Sequence, residues 1–131
     1  MPASSRRHRR DERGSVTIQM VFLMPALFLL MFLGLQGALY YQAREVALAA
    51  AQEGAREAGS ENGSRDSGVA TASTFLQDAG GSDVMTLTSV SGSRTTTTAT
   101  ITVTGKSMSV IPGWHVTISQ SASVPVERLT Q

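Results

Sequence analysis

The sequence predicts an α+β fold: a long N-terminal apolar helix that continues as an amphipathic helix, a second short helix, then a small antiparallel β-meander. Three observations predict it. No charged residue stands between Arg13 and Arg44. Small apolar residues then recur at helical spacing as far as Ala58. From Val84 onward, successive residues alternate between two faces with a period of two. Apolar residues recur every third or fourth position on a helix and every second on a strand, so the change of period marks a change of element.

The uncharged stretch runs from Val16 to Tyr41 with Phe, Leu, Met and Val throughout. A bilayer's hydrocarbon core takes about 20 apolar residues as a helix, so this run can span it and protrude. A water-soluble helix of that length needs a polar face; this one has none. Arg6, Arg7, Arg9, Arg10 and Arg13 precede the run, against Asp11 and Glu12. After it, Arg44 and Arg56 are outnumbered by Glu45, Glu53, Glu57 and Glu61. Positive residues hold their end of a span in the cytoplasm. The sequence therefore predicts a single pass through the cytoplasmic membrane, N-terminus inside and the bulk of the chain outside. Tyr40 and Tyr41 stand where interfacial aromatics belong. A cleaved secretory signal would share the basic front, but its apolar core is shorter, and a cut after Ala43 would put bulky Tyr41 at a position that wants a small residue. The arginine cluster reads as a topology signal or a contact to anionic lipid. No aromatic residues interleave with it, so nucleic acid is not an expected partner.

Composition narrows the rest. Of 131 residues, about 70 remain outside the long helix. A domain that small buries a limited core and is expected to lean on its own helix or on partner subunits. With no cysteine, it has neither disulfides nor thiolate metal sites. A net charge of +1 creates no global field towards an acidic partner.

The expected divisions are a basic leader over 1–14, a transmembrane helix over 15–41 and its extracytoplasmic continuation over 42–58. A linker over 59–68 and a small α+β domain over 69–131 follow. The continuation carries Ala43, Ala47, Ala50, Ala51, Gly54 and Ala58 on one narrow stripe, with Glu53, Arg56 and Glu57 opposite. One helix over about 14–58 would be about 65 Å long at about 1.5 Å per residue. Pro25 should kink it, because proline removes one hydrogen bond and crowds the preceding turn. In the second helix Val69, Ala72, Phe75, Leu76 and Ala79 share a face. Ser67 is the expected cap, and Gly80-Gly81 the stop. Val84–Val90 reads as a strand, Ser91-Gly92-Ser93 as a hairpin turn, and Thr95–Thr104 as a half-buried strand with Ala99, Ile101 and Val103 inward. Ile111-Pro112-Gly113-Trp114 reads as a loop, followed by a third strand with Val116, Ile118, Ala122, Val124 and Val126. Its Pro125 fits only an edge or a strand end.

Groups for chemistry do not converge. His8 and His115 fall on opposite sides of the span, and neither has a carboxylate at ligand spacing. Asp66, Asp78 and Asp83 sit at helix ends and turns, where capping is the ordinary role. Ser107, Ser109 and Ser119 lack a nucleophile signature, and the glycines form no phosphate cradle. No enzyme activity, cofactor, metal or small-molecule substrate is expected. Gln19, polar within the span, reads either as a tolerated group at the inner interface or as a contact to a neighbouring helix. Gly34, Gly37 and Ala38 form a small-residue patch that would let another helix approach, and Ala47, Ala51 and Gly54 extend the helix-packing set. Trp114 reads as domain core or a strand-loop anchor in preference to a ligand platform.

Several segments carry a family resemblance: Arg13-Gly14-Ser15-Val16-Thr17-Ile18-Gln19, an apolar helix with an early Pro25, Tyr40-Tyr41-Gln42-Ala43-Arg44, and Ala50-Ala51-Gln52-Glu53-Gly54-Ala55-Arg56. Together with the ending Val124-Pro125-Val126-Glu127-Arg128, they resemble the TadE-like family, pilin-like membrane proteins of the tight-adherence (Flp type IVb) pilus systems. The resemblance implies a pilin-like fold and a role as a minor pseudopilin or assembly component of such a pilus or a related secretion apparatus. It implies other pilin-like or Tad-system subunits and membrane lipid as partners. It also implies a prepilin peptidase that would cut between Gly14 and Ser15. The fifth residue after such a cut is usually Glu, paired with a neighbour's terminal amine; here it is Gln19, which can hydrogen-bond but carries no charge. The rival readings are an unprocessed membrane-anchored binding module and a secreted form starting near Arg44.

Overall fold

The computed structural model describes residues 8–129, with side chains from Arg13 onward. Arg6 and Arg7 lie outside the described residues, and Arg9 and Arg10 enter only as helix backbone. The architecture is α+β, as the change of period predicts: α1 (His8–Gly59), α2 (Arg65–Asp78), α3 (Gly81–Val84), β1 (Met85–Arg94), β2 (Thr98–Ser107) and β3 (Thr117–Pro125). The helix begins at His8, inside the stretch expected as leader, and continues without interruption through Pro25. The chain divides into two units, one ending at Leu35 and one starting at Gln36.

In the first unit the side chains of Val16, Phe22, Leu23, Leu29 and Leu30 are exposed. By length and composition α1 suffices to cross a membrane, and none of its most apolar window is buried within the chain. In water a contiguous apolar surface of this kind would drive aggregation; in lipid it is the solvated state.

The second unit has a core with two unlike walls. The α1 wall is alanine: Ala43, Ala47, Ala50, Ala51, Ala55 and Ala58 are fully buried. The sheet wall supplies Ala99, Ile101 and Val103 from β2, with Ile118 from β3 and Met85 from β1. Small residues on the helix let the backbone come close to the longer sheet side chains. The approach of α2 is closer still. A Cβ on Gly54 would lie 2.6 Å from the Gly68 carbonyl oxygen, and one on Gly68 would lie 2.6 Å from the Gly54 carbonyl oxygen. Both positions therefore require glycine for steric reasons.

That contact explains where α2 starts. Gly68 has to be inside the helix to meet Gly54, so the cap is Ser64 in place of Ser67. The Ser64 hydroxyl accepts from the Ser67 N–H at 3.0 Å, and the Ser67 hydroxyl accepts from the Ser64 N–H at 2.9 Å. This reciprocal pair is a capping box, with serine where glutamate is usual. Gly80 then takes a left-handed φ of 67° and leads into the single turn of α3.

The sheet is an antiparallel meander in the order β1-β2-β3. The hairpin turn lies at Thr95–Thr97, and Ser91-Gly92-Ser93 belongs to β1, correcting the sequence expectation. Gly92 is needed for close packing: a Cβ there would lie 2.6 Å from Ile101 Cδ1 and 3.3 Å from Val69 Cγ2. The turn is held by a hydroxyl. Thr95 Oγ1 accepts from the N–H of Thr98 at 3.0 Å and of Thr97 at 3.3 Å, as serine and threonine do in side-chain-closed turns. The register of β1 shifts between Leu87 and Ser89. The extra residue flips the alternation, so Met85 before it and Val90 after it both reach the core side. Leu87, opposite Gly105, is exposed. Pro125 ends β3, an outer strand, where a missing N–H breaks no ladder.

Candidate helix-packing and loop-clamp sites

The expected packing residues separate by burial. Ala47, Ala51 and Gly54 lie in the chain's own core, against α2 and the sheet. Gly34 and Ala38 are exposed and Gly37 is half-buried. A Cβ added at Gly34 or Gly37 would meet nothing within 4 Å. Of the expected packing residues, Gly34, Gly37 and Ala38 are thus the ones outside the buried core. Gln19 is exposed within the span. Gly14 and Ser15 are also exposed, inside unbroken helix, where the Thr17 hydroxyl donates to the Arg13 carbonyl at 2.9 Å.

Glu53-Gly54-Ala55-Arg56 acquires a physical meaning. Gly54 and Ala55 face the core, while Glu53 and Arg56 face water and form an ion pair at 3.4 Å. The exposed pair contributes little; the inward glycine sets the helix-to-helix distance.

One residue escaped the sequence reading. Gln36 is 4% exposed, the most buried position in a half-turn otherwise open. It clamps the loop between β2 and β3. Its Oε1 accepts from the Val110 N–H at 3.0 Å and from the Ser109 hydroxyl at 3.0 Å, and its Nε2 donates to the Met108 carbonyl at 3.3 Å. A helix side chain thus completes the hydrogen bonding of a part-buried segment outside the sheet. The signal was available, since a glutamine inside an apolar run seeks a partner. The loop is also closed at its base, where the Ser107 N–H donates to the Val116 carbonyl and the Met108 N–H to that of Val84. Trp114 is not in the core: it lies 46% exposed at the turn that follows Ile111, with Met108 and Val110 also exposed.

Among the described residues no three His, Asp or Glu side chains group to hold a metal. At the opposite end of the sheet from the Gln36 clamp, Arg94, Thr95, Thr96, Val126, Glu127 and Arg128 line a shallow depression, in which the Arg128 guanidinium donates to the Thr96 carbonyl.

An apolar, exposed helix that continues as one wall of a small α+β unit fits a single-pass membrane protein. Residues 14–56 match the family model described as TadE-like protein, the family that the motifs of α1 resemble. The matched segment begins at Gly14 and closes on Arg56, so it covers the apolar stretch and most of the alanine wall but neither α2 nor the sheet. No curated protein and no solved structure matches the chain.

Proposed function

We propose that the chain is a minor pseudopilin or assembly component of a tight-adherence (Flp) pilus or a related secretion apparatus. It works by helix packing and protein–protein contact, in a structural and not a catalytic role. The observation that carries this reading is the TadE-like match over residues 14–56. Other pilin-like subunits would approach α1 at Gly34, Gly37 and Ala38, because Ala47, Ala51 and Gly54 are taken up by the chain's own core. The expected topology keeps the arginine-rich end in the cytoplasm and residues 42–131 outside.

Two observations favour an unprocessed variant of this role, in which the chain is a permanent membrane component with an extracytoplasmic binding unit. The Gly14–Ser15 bond lies inside helix from His8 onward, so a peptidase would have to open that turn. Gln19 also lacks the charge for pairing with a terminal amine. A secreted form starting near Arg44 is disfavoured on different grounds: it would lose Gln36, Tyr40 and Ala43 from the second unit.

The mass of the native protein in a membrane fraction tests the processing step. A chain starting at Ser15 supports a pilin-like subunit, and one starting at Met1 or Pro2 supports the permanent component. Packing is tested separately by cysteine cross-linking. The chain has no cysteine of its own, so Gly34→Cys or Ala38→Cys reports a single site. Cross-links to Tad-system subunits at these positions, and none at an exposed control such as Leu29→Cys, are the expected result.

A further inference from the structure

The unit from Gln36 onward is apolar at one end and charged at the other. Among its described residues the exposed large apolar and aromatic side chains are Tyr41, Leu87, Met108, Val110, Trp114 and Leu129. All but Leu129 gather at one end. Leu87 sits opposite Gly105, two residues before the loop base at Ser107. Met108, Val110 and Trp114 are on that loop, and Tyr41 is about one and a half helical turns beyond Gln36. The segment Ser107-Met-Ser-Val-Ile-Pro-Gly-Trp114 carries no charge and is bounded by Lys106 and His115. The outward hydroxyls of the sheet make the contrast plain: Thr100, Thr102 and Thr104 pair with Ser123, Ser121 and Ser119. At the far end of the sheet stand Arg94, Glu127 and Arg128.

Gln36 fixes where along the helix the apolar end belongs. Val16 to Leu35 is a run of 20 residues without charge, about 30 Å of helix at about 1.5 Å per residue, which equals the thickness of a hydrocarbon core. Gln36 is the next residue, and it holds the loop through Met108, Ser109 and Val110. The first charge after it is Arg44, eight residues on. The loop is therefore tied to the helix at the level where hydrocarbon gives way to headgroups.

We propose that the loop 108–114 is a second membrane contact, in which Met108, Val110 and Trp114 insert into the lipid interface beside the emerging helix. The occupant is the leaflet on the side of the α+β unit. Trp114 and Tyr41 take the depth that interfacial aromatics prefer, apolar ring towards the chains and polar N–H or O–H towards the headgroups. Lys106 and His115 flank the insertion at headgroup level. This inference rests on the membrane-spanning reading of α1.

Trp114 is the only tryptophan, so its fluorescence reports this loop alone. The full chain would be reconstituted in phosphatidylcholine nanodiscs with acyl chains unlabelled, brominated near the headgroup, or brominated near the chain end. The expected result is weak quenching by aqueous acrylamide and quenching by the shallow bromines at least about 2-fold stronger than by the deep ones, as an interfacial indole requires. Emission indifferent to bromine, with free acrylamide access, overturns the proposal while leaving the spanning helix intact. Shielding from acrylamide that needs a second copy of the chain, without bromine quenching, also overturns it in favour of a protein contact. Release of the protein from membranes by alkaline carbonate would remove the spanning reading itself, and the loop proposal with it.

Discussion

Along α1, the side chains from Val16 to Leu35 are mostly large and are exposed on every face, whereas those buried from Ala43 to Gly59 are alanine and glycine. The two stretches share one backbone helix and differ in what surrounds them. Where lipid is the solvent, bulk is unrestricted, because acyl chains adapt to any apolar shape. Where a sheet of Ile101, Val103 and Ile118 is the neighbour, the helix must keep its side chains short or be pushed away. A hydrophobicity count alone would rank the first stretch as the better core. The structure puts the core under the second.

Substitutions at matched positions in the two stretches should separate these rules. The largest effect is expected at the sheet wall. Ile101→Ala should lower the stability of the second unit by about 4 kcal/mol, since a fully buried aliphatic leaves a cavity. Leu29→Ala, exposed in the span, should leave the thermal midpoint in detergent unchanged. Equal losses from both would show that the first stretch is also packed against protein.

Next comes the pair of glycines. Gly54→Ala should cost about 2 kcal/mol, because the new methyl would press on the backbone of Gly68 and on Ala72. Gly34→Ala meets nothing within 4 Å and should be silent in the isolated chain. Urea titration followed by far-ultraviolet circular dichroism reads both; a silent Gly54→Ala would mean that α1 and α2 do not meet at Gly54 and Gly68.

Gln36→Ala should act more locally. It strips the side-chain partner from the Val110 N–H and the Met108 carbonyl, a loss of about 1.5 kcal/mol. Amide exchange at Val110 should quicken well before exchange at Ile101 or Val103. Exchange that quickens uniformly would make the clamp part of the global fold. The smallest change is expected from Thr102→Val, which removes one hydroxyl of the exposed Thr102–Ser121 pair at 2.9 Å. About 0.5 kcal/mol is the expected loss for one cross-strand pair.

The legible parts of the sequence were those with long, regular patterns. The uncharged run, the alanine stripe and the alternation Ala99-Ile101-Val103 each repeat over several positions, so each survives a local exception. What the sequence hid were single residues whose role depends on a distant partner. Ser91-Gly92-Ser93 has turn composition, yet Gly92 serves Ile101 and Val69 across the core. The turn itself falls on threonines because one hydroxyl at Thr95 can close it. Ser67 looked like the cap because nothing local says that Gly68 must meet Gly54. Trp114 reads from the sequence as domain core or a strand-loop anchor; it is outside the core, exposed on a loop whose Met108–Val110 segment Gln36 holds. Of the expected packing set, composition could not tell that Ala47, Ala51 and Gly54 are taken into the chain's own core while Gly34, Gly37 and Ala38 stay outside it.

The alanine wall also bears on the order in which the protein can be built. Synthesis delivers α1 first, and about 40 residues separate Gly59 from the start of β2 at Thr98. During that interval the helix stands complete with its future core face bare. A face of bulky aliphatics would be a liability then, since transiently exposed apolar surface invites aggregation. A row of methyl groups and glycines presents far less area to water, and the attraction between such faces scales with area. The wall can wait in solvent for its sheet.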